Sequence, residues 1–81
     1  SPVHILIIPK KAFLNFHDFM ENASIREMES LWKLVNDVIK LNKISKKGFR
    51  IISNSGEDGN QDVPHFHVHV LGGKNLGRMI N

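Results

Sequence analysis

The pattern of apolar and polar positions divides the first half of the chain into a strand, a short turn and a long helix. Residues 3–8 are mostly apolar and β-branched and are closed by Pro9, which predicts a strand buried on both faces. Residues 15–22 are mixed in character and predict a short turn or a single helical turn. The segment that follows carries a stronger helical signal.

A long amphipathic helix is predicted from residue 24 onward. Ser24 and Glu27 fit the capping box, in which each side chain satisfies a free backbone donor at the helix start. Apolar residues then recur at helical spacing and form one stripe: Met28, Leu31, Trp32, Val35, Val38 and Ile39. We expect this whole stripe, Trp32 included, to form core against a sheet.

The second half of the chain predicts two further strands. Residues 49–53 form the first, and a polar, glycine-bearing loop over residues 54–62 separates it from a run in which histidine alternates with apolar residues, His65 to Leu71. Because side chains alternate across a strand, His65, His67 and His69 share one face, with about 6 to 7 Å between neighbours. The order of elements predicts an α+β fold, a mostly antiparallel sheet with the long helix on one face.

Composition narrows the classes of function. The 81 residues suffice for one small domain, and the absence of cysteine excludes disulfides and thiolate metal sites. A formal net charge of +3 suits anionic ligands but falls short of a nucleic-acid footprint. No apolar run is long enough to span a membrane. We therefore expect a cytoplasmic protein without a membrane or nucleic-acid partner; its start at Ser1, almost directly in a strand, predicts an incomplete or processed domain.

The histidine row allows more than one chemistry. Histidine can act near neutral pH as acid, base, nucleophile or metal ligand, and His-x-His on a strand is a known zinc arrangement. A purely structural row is less favoured, because strand faces rarely select histidine for packing. A lone histidine in an apolar strand, such as His4, is more often a hydrogen-bonded core residue than a catalyst. The basic cluster within residues 40–50 is compatible with RNA, but we favour a solvated face, since cations are expected near a helix C-terminus.

The row and its surroundings resemble the histidine triad family of nucleotidyl hydrolases and transferases, in its Hint-like branch. The run from His65 to Leu71 resembles that family's signature of three histidines alternating with apolar residues. Residues 3–11 resemble its central strand, and Asn54, Gly56, Gly59 and Gln61 its loop ahead of the signature. Residues 72–77 resemble the glycine pair of bacterial members. On this resemblance, residues 1–81 form a single partial domain that lacks the family's N-terminal helix and hairpin.

The resemblance implies a role for each histidine. His67 would be the nucleophile that attacks the α-phosphorus and forms a nucleotidyl-imidazole intermediate, while the carbonyl oxygen of His65 accepts its other N–H. His69 would donate a hydrogen bond to a phosphate oxygen or the bridging atom, and its presence favours hydrolysis over transfer. His4 would be a buried histidine that supports the row. The substrate-binding residues implied are Asn54, Gly59, Gln61, Asp62 and Val63.

Asp62 leaves the choice of leaving group open. Many eukaryotic members of the family carry Ser or Thr at this position, whereas a carboxylate only accepts hydrogen bonds unless it is protonated. Asp62 would instead orient a cationic amine or accept a proton.

The resemblance also implies an activity and an assembly. It implies a phosphoramidase or nucleotide hydrolase that cleaves purine nucleoside monophosphate derivatives of the AMP type, as a homodimer whose sheets join across the interface. The covalent route requires no cofactor, although a divalent cation can accompany a polyphosphate substrate. The alternatives are a nucleotide-binding module without turnover and a zinc site built on the three histidines.

Overall fold

Three strands and two helices make up the computed structural model, which describes residues 2–79. In chain order they are β1 (Val3–Ile7), α1 (Phe16–Asn22), α2 (Ile25–Leu41), β2 (Phe49–Ile52) and β3 (Val68–Gly72). The predicted α+β fold is therefore confirmed. No helix within these residues is both long and apolar enough to cross a membrane.

Strand β3 lies at the centre of an antiparallel sheet with the order β1-β3-β2. His69 on β3 pairs with Leu6 on β1 and with Ile52 on β2. Since paired residues in neighbouring strands point to the same face, these two apolar side chains flank the histidine. Within residues 2–79, β1 pairs only with β3, so the expectation that residues 3–11 are the central strand of the family's sheet stays a prediction.

One hydrophobic core fills the space between the sheet and the helices. Strand β3 contributes Val68 and Val70, which are fully buried, and Phe66 just ahead of it is 1% exposed. Helix α2 contributes Leu31, Val35 and Ile39, which are spaced four residues apart and lie on one face of the helix. All three belong to the predicted apolar stripe. The buried members of the core are Ile7, Phe13, Phe19, Leu31, Val35, Ile39, Ile44, Phe66, Val68 and Val70.

Both halves of the predicted capping box are present at the start of α2. The Ser24 hydroxyl accepts from the Glu27 backbone N–H at 3.0 Å, and Glu27 Oε1 accepts from the Ser24 N–H at 2.9 Å. The prediction that Trp32 belongs to the core is wrong, because this side chain is 40% exposed. Leu31 points at the sheet, and a residue one step further along a helix is rotated by about 100°. The turn predicted over residues 15–22 is the two-turn helix α1, capped by the Asn15 side chain.

Strand β1 is covered on one face only, contrary to prediction. Ile7 is buried and Ile5 is half-buried on the side of the helices, whereas Leu6 and Ile8 are 49% and 48% exposed on the other side. Their exposure arises because both helices pack on the same face of the sheet and leave the opposite face open. For the same reason the prediction of a buried His4 is wrong, since His4 lies on this open face and is exposed.

The histidine strand begins later than predicted. Paired strand starts at Val68, and the residues before it bond to other segments: the Phe66 N–H donates to Phe13 O at 2.7 Å and the His65 N–H to Val63 O at 2.7 Å. The alternation of buried and half-buried side chains nevertheless continues back to His65. The three histidines therefore share one face, as the sequence pattern predicts.

Replacing Ser24 with alanine is expected to lower the free energy of unfolding by about 1 kcal/mol, because it removes the side-chain partner of a free helix N–H. Ser30→Ala is the matched control, since Ser30 is exposed in the middle of α2 and makes no capping contact. Urea unfolding followed by circular dichroism measures both variants. Equal midpoints for the two variants would contradict a stabilising capping box.

Candidate active site

A cleft of about 300 Å³ lies on the open face of the sheet, opposite the helices. Strand residues form part of its lining and the loop between β2 and β3 forms the rest. The lining residues are Leu6, Ile8, Asn54, Asn60, Gln61, Asp62, Val63, His65, His67 and His69. The structure thus gathers the three alternating histidines and four of the five predicted binding residues. The exceptions among the predicted residues are Gly59 and His4, which do not line the cleft.

His67 is held in a single tautomer by the backbone. Its Nδ1 lies 2.8 Å from the carbonyl oxygen of His65, as the resemblance implied. A carbonyl oxygen can only accept, so Nδ1 carries the proton and Nε2 keeps the lone pair. The Ser53 hydroxyl donates to His67 O at 2.8 Å and fixes the backbone at the same residue. In its neutral form the half-buried ring therefore carries its nucleophilic lone pair on Nε2.

His69 is paired with His4 from the neighbouring strand. His69 Nδ1 lies 2.9 Å from His4 Nε2, so one of these nitrogens donates and the other accepts. The register places His4 two residues before Leu6, the partner of His69, and so on the same open face. The His67 and His69 ring centroids are 4.9 Å apart at an interplanar angle of 79°, closer than strand spacing alone predicts.

The surroundings of His69 favour its neutral form. Burial of the imidazole is the main cause that lowers its pKa, and the charges of His67 and then His4 lower the pKa further. A neutral imidazole that accepts at Nδ1 carries its proton on Nε2. With His4 as donor, His69 therefore presents an N–H to the cleft beside the lone pair of His67.

Gln61 secures the loop that forms one wall of the cleft. Its Nε2 donates to Leu14 O at 2.6 Å and to Val63 O at 3.0 Å, and its Oε1 accepts from the Gly56 N–H at 2.9 Å. Both N–H donors of the side chain are thus occupied by protein carbonyls. Gln61 reaches the cleft as predicted, but its contacts hold the loop.

Two other predicted binding residues also shape this loop. Asn54 Nδ2 donates to Gly59 O at 2.8 Å across the turn. A Cβ at Gly59 would lie 2.3 Å from Ser55 O, so only glycine fits there. Asp62 and Val63 are exposed at the edge of the cleft.

The ring of His65 differs from the other two. It is half-buried, and its Nε2 is buried without a hydrogen-bond partner within residues 2–79. His65 acts on His67 through its carbonyl oxygen.

No group of three His, Asp or Glu side chains within residues 2–79 is arranged to hold a metal ion. The zinc alternative therefore finds no support in the geometry of the row. A larger cavity of about 850 Å³ lies at the other end of the sheet and is lined by basic residues, including Lys43, Lys47 and Lys74. No histidine lines it, whereas the smaller cleft is lined by all three histidines of the row.

Some residues of the site were not predicted from the sequence. Leu6 and Ile8 form the apolar wall of the cleft and follow His4 at every second position, so strand alternation could have identified them. Ser53 and the carbonyl oxygen of Leu14 carried no sequence signal, since their contacts arise only in the folded chain.

Comparisons of the sequence with known proteins all point to the same family. The family described as HIT domain matches residues 1–76. An uncharacterised 13.2 kDa HIT-like protein of Azospirillum brasilense is 45% identical over 80 residues, covering 99% of this chain and 66% of its own length. The purine nucleoside phosphoramidase of Escherichia coli K12 is 34% identical over 83 residues, with 99% and 66% covered.

Solved structures agree with this family. A histidine triad protein from Clostridium difficile superposes with a TM-score of 0.81 at 36% identity, covering 96% of this chain and 67% of its own. A HIT family hydrolase from Legionella pneumophila gives a TM-score of 0.85 at 28% identity, with 95% and 68% covered. The chain spans about two thirds of the length of the curated relatives it matches.

The lowered pKa of His69 predicts that stability falls as the pH drops below the ordinary histidine value of 6.5. In this range the unfolded chain binds a proton at residue 69 that the folded chain does not, so acidification favours unfolding. His69→Gln is expected to show a shallower loss of unfolding free energy between about pH 7 and pH 5. Asp18 and Glu27 also have lowered pKa values but titrate below this range. Urea unfolding at several pH values measures the slope, and identical slopes for both proteins would refute the assignment.

Proposed function

The chain belongs to the HIT domain family, and from this premise we propose that it is a hydrolase of purine nucleoside monophosphate derivatives. The bond cleaved is the P–N bond of a phosphoramidate or a phosphoanhydride bond. The observation that carries the proposal is the hydrogen bond of 2.8 Å between His67 Nδ1 and His65 O, which leaves the Nε2 lone pair free. The activity named for the Escherichia coli relative supports the substrate class.

The first chemical step forms a covalent intermediate. The lone pair of His67 Nε2 attacks the α-phosphorus, a bond from phosphorus to Nε2 forms, and the bond to the leaving group breaks. The leaving nitrogen or oxygen takes that electron pair. We assign His69 Nε2–H as the donor that stabilises the departing group, because with His4 Nε2 as the donor to its Nδ1 the neutral ring carries its proton on Nε2.

The second step restores the enzyme. A water molecule attacks the phosphorus of the nucleotidyl-imidazole, the phosphorus–Nε2 bond breaks, and the nucleoside monophosphate leaves. The net reaction consumes one water molecule. Neither step requires a metal ion, although a divalent cation can accompany a polyphosphate substrate.

The apolar wall of the cleft provides a surface for the nucleoside. Leu6, Ile8 and Val63 line the cleft and are about half exposed, at 49%, 48% and 57%. A purine and its ribose would cover this apolar surface while the phosphate faces the histidines.

Replacing His67 with alanine is expected to abolish hydrolysis of a fluorogenic adenosine phosphoramidate, because the nucleophile is removed. His17→Ala is the matched control, since His17 is exposed on α1 and outside the cleft. The assay is run in excess chelator, where turnover should persist. Loss of turnover on chelation would contradict the metal-independent route, and AMP binding without turnover would favour the nucleotide-binding alternative.

We further propose that the chain forms a homodimer through β2. Within residues 2–79 this strand pairs only with β3, so its other edge is open. Phe49 and Ile51 on this strand are 43% and 41% exposed, and open strand edges with exposed apolar residues favour pairing with another chain. A second copy would pair with this edge and extend the sheet.

Ile51→Lys is expected to convert the dimer to a monomer, because it places a charge in the proposed interface. Ile25→Lys is the control, since Ile25 is exposed at the end of α2 farthest from β2. Size-exclusion chromatography with light scattering gives the mass of each protein. A monomeric unmodified chain would refute the homodimer.

A further inference from the structure

We infer that Asp62 makes the cleft selective for leaving groups that carry a positive charge, so that phosphoramidates of cationic amines are cleaved in preference to those of neutral amines. The inference rests on the proposed function and concerns the same cleft. It assigns Asp62 an electrostatic role toward the leaving group, without a covalent bond to the substrate.

The charge of the cleft is the first observation. Asp62 is the only carboxylate among the lining residues that the structure describes, and no lysine or arginine is found among them. The chain as a whole has eleven basic and eight acidic residues, so its positive excess lies away from this cleft. A cationic group at the cleft edge would therefore meet a carboxylate and no basic lysine or arginine side chain of the described lining.

The second observation is that the carboxylate has no partner of its own. Within residues 2–79 the acidic side chains that make hydrogen bonds or ion pairs are Asp18, Glu27 and Glu29. Asp62 is exposed and contacts none of the basic side chains described. A cationic ligand would therefore not have to displace an existing ion pair.

The third observation is that the backbone on both sides of Asp62 is fixed. Gln61 is tied to Leu14 O, Val63 O and the Gly56 N–H, and Val63 O also accepts from the His65 N–H at 2.7 Å. The carboxylate thus extends from an ordered segment. Little conformational entropy of the backbone is lost when it binds a ligand.

The two walls of the cleft suggest how a substrate lies in it. Leu6 on β1 and Ile8 just after it supply apolar side chains, and the loop after β2 supplies mainly polar ones, including Asn60 and Asp62. The nucleoside covers the apolar wall, which leaves the polar wall for the leaving group. A carboxylate there cannot donate a proton to a neutral group but attracts an ammonium.

The chemical step remains balanced. His67 Nε2 bonds to phosphorus, the P–N bond breaks, and the departing nitrogen takes the electron pair and a proton from solvent, while His69 Nε2–H donates a hydrogen bond to it. The distal ammonium of the leaving amine keeps its own protons throughout. Asp62 only lowers the energy of the bound cationic group.

The test compares two adenosine 5'-phosphoramidates of matched length. One is made from putrescine and keeps a free ammonium, and the other from pentylamine, in which a methyl group replaces the ammonium. For an exposed ion pair we expect the ratio of the two kcat/KM values to favour the putrescine derivative by about two- to fivefold. Added salt should reduce this preference, because it screens exposed charges.

Asp62→Asn should bring the ratio close to one, and Asp62→Glu should retain a preference for the cation. Asp58→Asn is the matched control, since it removes the same charge from the same loop outside the cleft lining and should leave the ratio unchanged. A ratio near one in the unmodified chain, or one that Asp62→Asn does not change, overturns the inference. If Asp62→Asn and Asp58→Asn reduced the preference for the putrescine derivative equally, the inference would also be overturned. Such a result would indicate a long-range effect of charge.

Failure of the proposed function gives a different result. If neither substrate is hydrolysed, the hydrolase proposal fails. Calorimetry then gives the binding affinities of the two derivatives, and their ratio replaces the ratio of kcat/KM values. Tighter binding of the putrescine derivative that is lost in Asp62→Asn supports the inference. Equal affinities for the two derivatives overturn it.

Discussion

The alternation of side chains along the segment from Phe66 to Gly72 places the core and the histidine row on one backbone. Phe66, Val68 and Val70 are at most 1% exposed, and the histidines between them face the open side of the sheet. A shift of one residue would bury the imidazoles and expose the apolar side chains, each of which gains about 1.5–3 kcal/mol from burial. Pairing on both edges of β3 fixes the register. The hydrophobic core therefore determines where His67 and His69 lie.

The core also holds the loop side of the cleft. Phe13 packs edge-on against Phe19 with centroids 5.1 Å apart, and Phe19 contacts Phe66 at 4.8 Å. The backbone next to this cluster bonds to the site at two points, from Phe13 O to the Phe66 N–H and from Leu14 O to Gln61. An aromatic cluster distant from the reacting atoms thus sets the distance between the loop and the histidines.

The sequence predicted the features that depend on neighbouring residues and missed those that depend on the folded chain. The capping box and the alternation around His67 are local, so the sequence pattern predicted them, and the family resemblance implied the bond from His67 to His65 O. Trp32 and His4 were placed wrongly, because an apolar pattern does not show which face of an element is covered. Gln61 and Leu14 are 47 positions apart in the sequence, so no local pattern predicts the hydrogen bond between them.

The side chains of His65, His67 and His69 differ chemically because their hydrogen-bonding surroundings differ. His67 Nδ1 donates to a carbonyl oxygen, so that in the neutral ring the lone pair is on Nε2. His69 Nδ1 shares a hydrogen bond with His4 Nε2, and since an imidazole can donate or accept, the tautomer of His69 follows from the state of His4. The ring of His65 has no partner within the residues described. The neighbours of the row therefore make its three histidines chemically different, and a repeat of one residue type can still give an asymmetric site.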